Sequence, residues 1–422
     1  MLMSKQKLEI DKNISKYLMV SAGCTEPIAI AYAAAVARST LSGTPVNIGI
    51  YLSPNMAKNA MDAGIPGSKY VGTAFAASLG ALYGDYSKGF ELLKDIPEDK
   101  QKEAYEFSKT HVTCNPADSK KALYIGVEMT DTNANHVKVV TEDDHTNIVL
   151  IELNGNVKYK QDVEGDFADD SSAQEVVHWG PKEIYEYVDG YCTSFPLFKD
   201  AIKLNSALSE HGKVNNYGLN VGKVIPFGED TIVSRITTFT TSAVDSRMGG
   251  APLSAMACTG SGNQGITVSL PVVQYAKEIG ASEEQTIKAV AVAMISAMYV
   301  KKDLAVLSHL CGAVIAATGA SAGLVYLMGG DYKQAEYAMQ NVLGTVTGMF
   351  CDGAKSTCAL KVNSCIYTAI CAANMAMSMD HCITKRVGIV GNTLEETVAN
   401  IAKIERDSAD VMNKTVLDII MK

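Results

Sequence analysis

From Leu304 to Gly330 the chain carries no Asp, Glu, Lys or Arg, and from Val362 to Met379 it again carries none. Uncharged stretches of this length are buried, either against other helices or in a bilayer. Their composition separates the two cases. Both are rich in Ala, Gly, Ser and Cys rather than Leu, Ile and Phe; the first contains His309, and neither has an aromatic belt. They read as core helices packed closely through small residues, not as membrane spans.

The 422 residues exceed the roughly 100–200 of one domain, so at least two domains are expected. A net charge of −9, with no basic run longer than two residues, argues against a nucleic-acid partner. The charged N-terminal stretch does not read as a secretion signal, which makes the expected location cytoplasmic and a disulfide framework unexpected. Of the ten cysteines, seven lie between Cys258 and the C-terminus. In a reducing compartment these are core residues, metal ligands or reactive thiols.

The pattern along the chain predicts an α+β fold. Residues 1–42 read as a helical segment that docks on the C-terminal domain, with Cys24 at the start of a helix marked by Pro27. Residues 43–222 read as a smaller mixed α/β domain with a mostly antiparallel sheet, its strands in "TPVNIGIYL", "KALYIGVEMT", "HVKVVTED" and "TNIVLIELNG". Residues 223–422 read as an all-helical domain rich in Ala and Gly.

"GSGNQG" at 260–265 has the letters of a dinucleotide fingerprint, but no hydrophobic strand is evident in the preceding "GGAPLSAMACT". A tight turn suited to a small carboxylate is the better reading, with Ser261, Asn263 and Gln264 as hydrogen-bonding side chains. Arg247, just upstream, either clamps such a carboxylate or pairs with Asp245 on the surface; the sequence slightly favours the surface pair. Cys311, Cys351 and Cys358 lie near Gly-rich breaks, as iron–sulfur ligands do, yet Cys-x6-Cys is not a ferredoxin or zinc-ribbon spacing. Positions 351, 358 and 365 are also heptad-spaced, as on a helical core face. Lys355 and Lys361 flank Cys358 and are candidates to act on a substrate, or to carry pyridoxal phosphate, for which no phosphate cup is evident.

Four blocks in order, "SAGCTEPIAIAYA", "DSRMGGAPLSAMACTGSGNQGI", "LCGAVIAATGASAGLVYLMGG" and "GMFCDGAKSTCALKV", resemble the L-cysteine desulfidase family, related to the α-chain of iron–sulfur L-serine dehydratases. The resemblance runs over essentially the whole chain. It implies a 4Fe-4S cluster held by Cys311, Cys351 and Cys358, and no pyridoxal phosphate. It implies that Cys24 is a displaceable fourth ligand, a base, or both, and it is compatible with a homodimer. Cys258 stands where a small polar residue is expected. Cys365, Cys371 and Cys382 read as core.

The implied reaction is non-redox β-elimination of L-cysteine to sulfide, ammonia and pyruvate, with an open iron as Lewis acid toward the leaving sulfur. Cys24 is the expected base, within about 2.6–3.2 Å of the Cα proton. Lys355 assists with charge, while Arg247, Ser261, Asn263 and Gln264 hold the amino-acid substrate. Two alternatives stay open: elimination from L-serine or a related amino acid, and a non-enzymatic iron–sulfur or metal redox sensor.

Overall fold

A computed structural model describes residues 2–93, 95–119, 121, 123–161, 178–191, 196–225, 228–304, 308–379 and 388–420. The chain forms two compact units, and neither is one continuous segment. The first comprises Met1–Ser21, Val177–Cys351 and Ser356–Met412. The second comprises Ala22–Val176, Asp352–Lys355 and Asn413–Lys422.

The first unit opens with α1 (Ser4–Tyr17) and β1 (Leu18–Ala22). The second unit contains α2 (Thr25–Thr40), β2 (Pro45–Leu52), α3 (Pro54–Ala60), α4 (Thr73–Tyr83), α5 (Glu98–His111), β3 (Val112–Pro116), β4 (Tyr124–Asp131), β5 (His136–Glu142), β6 (Ile148–Leu153) and β7 (Asn156–Lys160). Its sheet has the order β3-β2-β4-β5-β6-β7. Only β2 and β3 run parallel, so the sheet is mostly antiparallel, as expected. Period-2 alternation makes the inner face: Ile48 and Ile50 of β2, Ile125, Val127 and Met129 of β4, and Val137 and Val139 of β5 are all buried. Helices α2 and α4 supply Ile28, Ala31, Ala35, Phe75 and Leu79 to the same unit's core. Asn154 and Gly155 both take positive φ, 52° and 77°, as a two-residue type I′ hairpin between β6 and β7 requires.

The first unit continues with α6 (Pro181–Tyr191), α7 (Pro196–Val214), α8 (Ile232–Met248), β8 (Ser254–Cys258), α9 (Gly262–Glu278), α10 (Glu283–Lys301), α11 (Gly312–Leu327), α12 (Tyr332–Val346) and α13 (Cys358–Met379), and with α14 (Leu394–Ile420) as far as Met412; the end of α14, from Asn413, belongs to the second unit. Helix α11 is the uncharged stretch read from the sequence. Every residue from Ala313 to Val325 is buried. Its approach to α10 depends on Gly319, where a Cβ would lie 2.4 Å from the Ala293 carbonyl oxygen. No helix of the described residues is long and apolar enough to cross a membrane.

Strand β8 was not expected. It is a five-residue strand of small and sulfur-bearing side chains, paired with β1 in a two-stranded sheet. So a strand does precede the "GSGNQG" turn. A dinucleotide fold would need β8 in a parallel sheet with a second βα unit, and among the described residues β8 pairs with β1 in a two-stranded sheet.

Candidate active site

Three helices of the first unit begin at one place. Ser261 is the N-cap of α9, Cys311 is the N-cap of α11, and Cys358 is the first residue of α13. Helix N-termini present unbonded backbone N–H groups and the positive end of the helix dipole, so they favour thiolates and carboxylates.

Backbone pairing brings the thiols into register. Segments 309–311 and 349–351 run antiparallel, with Leu310 bridged to Phe350. The Cys311 amide donates to the Met349 carbonyl at 3.0 Å, and the Cys351 amide donates to the His309 carbonyl at 2.7 Å. Burial pushes the Cys311 thiol up to about 12, reinforced by nearby Cys351 and Cys358 and opposed by the Ala313 amide and the Lys361 ammonium. Cys311 is therefore within electrostatic reach of both other thiols. Lys361 donates to the Phe350 carbonyl at 3.0 Å and adds positive charge beside them.

The carboxylate-binding candidates adjoin this thiol group. Arg247, in the last turn of α8, is only 5% exposed. Its Nη1 donates to Asn263 Oδ1 at 3.0 Å, and its guanidinium lies on Gly262, where a Cβ would come within 2.2 Å of Nε. Asn263 donates through Nδ2 to Met248 Sδ. Gln264 accepts a 2.7 Å hydrogen bond from the Thr259 hydroxyl, and its amide packs on Gly312, the residue after Cys311. Thr259 itself holds a left-handed φ of 52°, a strained setting for a β-branched residue, in the turn that aims α9.

The structure thus gathers Arg247, Ser261, Asn263, Gln264, Cys311, Cys351 and Cys358 in the first unit. Cys24 and Lys355 belong to the second. Cys24 is the N-cap of α2, 2% exposed, followed by Thr25, whose hydroxyl donates to Glu26. Lys355 is ion-paired with Asp352 and donates to its backbone carbonyl.

Several sequence expectations need correction. Arg247 and Asp245 are not a surface pair, because both are buried. The Asp245 carboxylate accepts from the Gly222 amide at 2.9 Å, and burial pushes its carboxyl up to about 6. Cys371 is exposed rather than core, whereas Cys258 and Cys365 are fully buried. Cys382 lies outside the described residues.

Two residues escaped the sequence reading. Lys301 ends α10 and is 4% exposed; burial lowers its ammonium to about 8, against opposing pulls from Glu405 and Cys351. Glu405 is a buried carboxylate on α14. His309 bonds to Ser408 of the same helix at 3.1 Å. The only sequence signal was the adjacent pair Lys301-Lys302 closing an apolar helix, which reads as a solvated helix end.

An all-thiol set with basic neighbours at helix starts suits an iron–sulfur cluster. Among the described residues no three His, Cys, Asp or Glu side chains are placed to hold a metal ion. Thiolates that bind separate irons of a cluster need not converge on one point.

Comparison with known proteins defines the class. The family model for the serine dehydratase alpha chain matches residues 87–418, and the chain belongs to that family. Relatives match it over nearly its whole length. A UPF0597 protein of Bacteroides thetaiotaomicron is 36% identical, covering 100% of this chain and 99% of its own length. UPF0597 proteins of Porphyromonas gingivalis and Clostridium perfringens are each 36% identical, covering 96% and 97% of both partners.

Proposed function

We propose that the protein is a lyase that removes sulfide from L-cysteine by non-redox β-elimination. The Cα–H and Cβ–S bonds break, a Cα=Cβ bond forms, and aminoacrylate and sulfide leave. Water then converts aminoacrylate to pyruvate and ammonia. The observation that supports this reading best is the adjacency of a candidate carboxylate-binding group, Arg247–Asn263–Gln264, to Cys311, which in turn lies within electrostatic reach of Cys351 and Cys358.

Cys311, Cys351 and Cys358 are the residues that would hold a 4Fe-4S cluster, which when bound supplies Lewis acidity toward the leaving group. Arg247 and the first-turn amides of α9 fix the substrate carboxylate, and Asn263 orients the guanidinium through their 3.0 Å bond. Ser261 and Gln264 offer polar atoms to the substrate's ammonium and carboxylate. Lys355 contributes positive charge. Cys24 is assigned the Cα proton because it is the N-cap of α2, where the positive end of the helix dipole favours negative charge.

The family name favours a second reading, in which hydroxide leaves from L-serine. One experiment addresses both. Anaerobically reconstituted protein is assayed for iron, acid-labile sulfide and turnover on cysteine and serine. Sulfide and pyruvate released in equal amounts from cysteine support the desulfidase. Pyruvate from serine with little sulfide from cysteine replaces it with the dehydratase. Bound iron without turnover on either amino acid turns the reading to a redox sensor.

A further inference from the structure

We propose that the sheet-containing unit carries a second ligand site, for a small monocarboxylic acid with an apolar tail. This inference is independent of the chemistry assigned to the thiols. A cavity of about 530 Å³ lies within that unit, in the size range of small-molecule pockets. Leu52, Met61, Phe75, Tyr105, Pro116 and Leu417 give it mainly apolar walls, which suit a hydrocarbon tail.

One end of the cavity is built for an anion. Gly72, Thr73, Ala74 and Phe75 line it, and these residues are the N-terminus of the eleven-residue helix α4. Gly72 has no side chain with which to cap the helix. The first intrahelical bond there is from the Ala76 amide to the Gly72 carbonyl, so the amides of Thr73, Ala74 and Phe75 have no intrahelical acceptor. A second observation points the same way. Thr73 is only 6% exposed, and its hydroxyl oxygen has no hydrogen-bond partner among the described residues. A buried hydroxyl left unpaired is costly, and a carboxylate at the helix start would accept from it.

The charges on the lining narrow the ligand further. Lys109 lines the cavity, held by Glu106 at 2.8 Å and lying over the Tyr105 ring. It adds attraction for one negative charge. Asp418 is the only acid among the described residues of the lining, and it would repel a second carboxylate. A monoacid satisfies both ends, whereas a diacid does not.

The test is calorimetric titration of the full chain with octanoate and, separately, with 1-octanol, below the concentration at which octanoate forms micelles. The site predicts saturable binding of one octanoate per chain, at least about tenfold tighter than octanol. Ala57→Phe and Ala74→Trp, which fill the cavity from different walls, should each weaken octanoate at least about tenfold with the circular dichroism spectrum unchanged. Lys109→Met should weaken octanoate and leave octanol unaffected. No saturable octanoate binding, octanol as tight as octanoate, or wild-type binding by both folded filling variants would overturn the proposal.

Discussion

Arg247 illustrates how a single buried cation defines the chemistry around it. A guanidinium in this setting needs planar acceptors, and Asn263 offers one. Asn263→Ala should therefore raise KM by about ten- to a hundredfold with the iron content preserved, as steady-state kinetics on reconstituted protein would show. Cys311→Ala should reduce bound iron to a small fraction of wild type, and metal analysis would detect it directly. Cys24→Ser that keeps full turnover and a normal cluster would remove the proton-transfer role from that residue. Asp245 supplies a pH signature. Its folded-state pKa of about 6 lies above the ordinary 3.8, so the folded form binds the extra proton and is favoured at low pH. That contribution is complete below about pH 4 and is lost as pH rises through 6, by up to about 3 kcal/mol. Denaturant unfolding of wild type against Asp245→Asn between pH 4 and 7 should show that difference only in the wild type.

At the scale of elements, helix α11 is held by close backbone approach rather than by large side chains. Gly319→Leu would drive a branched side chain into α10 and should destabilise the fold by about 1–3 kcal/mol, readable as a lower urea midpoint. Elements with strong periodicity were legible from the residues alone: the alternating β4 and β5, and the uncharged helices. Those missed had weaker local signals. Strand β8 consists of Ser, Ala, Met and Cys, which fit a strand or a helix equally, and only its pairing with β1 decides. Strand β3 is a short, polar edge strand whose Cys114 and Pro116 are exposed, so no inward-facing alternation marks it. The exposed face of α13 at Cys371 was hidden because Ala-rich helices look equally apolar on every side.

At the scale of the molecule, the cysteines and the candidate carboxylate-binding residues stand in the sequence as separate Gly-rich blocks, and their adjacency is not legible there. The blocks are scores of residues apart, and three helix starts must fold together before they share a surface. The buried Lys301 and Glu405 were illegible for the same reason, since the carboxylate that acts on Lys301 lies far along the chain on α14. Cluster loading should order this region selectively. Hydrogen exchange on reconstituted against iron-free protein should slow at 308–315 and 349–362 and stay unchanged in β4–β6.

The short ladder between residues 309–311 and 349–351 has an evolutionary consequence. Two cysteines forty positions apart are gauged against each other by amide and carbonyl groups that every amino acid possesses. The intervening helices can therefore lengthen or drift in descendants without respacing the sulfurs, whereas inserting one residue inside either tripeptide would turn a thiol to the opposite side. Distant kin are best sought by those two tripeptides and not by the interval that separates them.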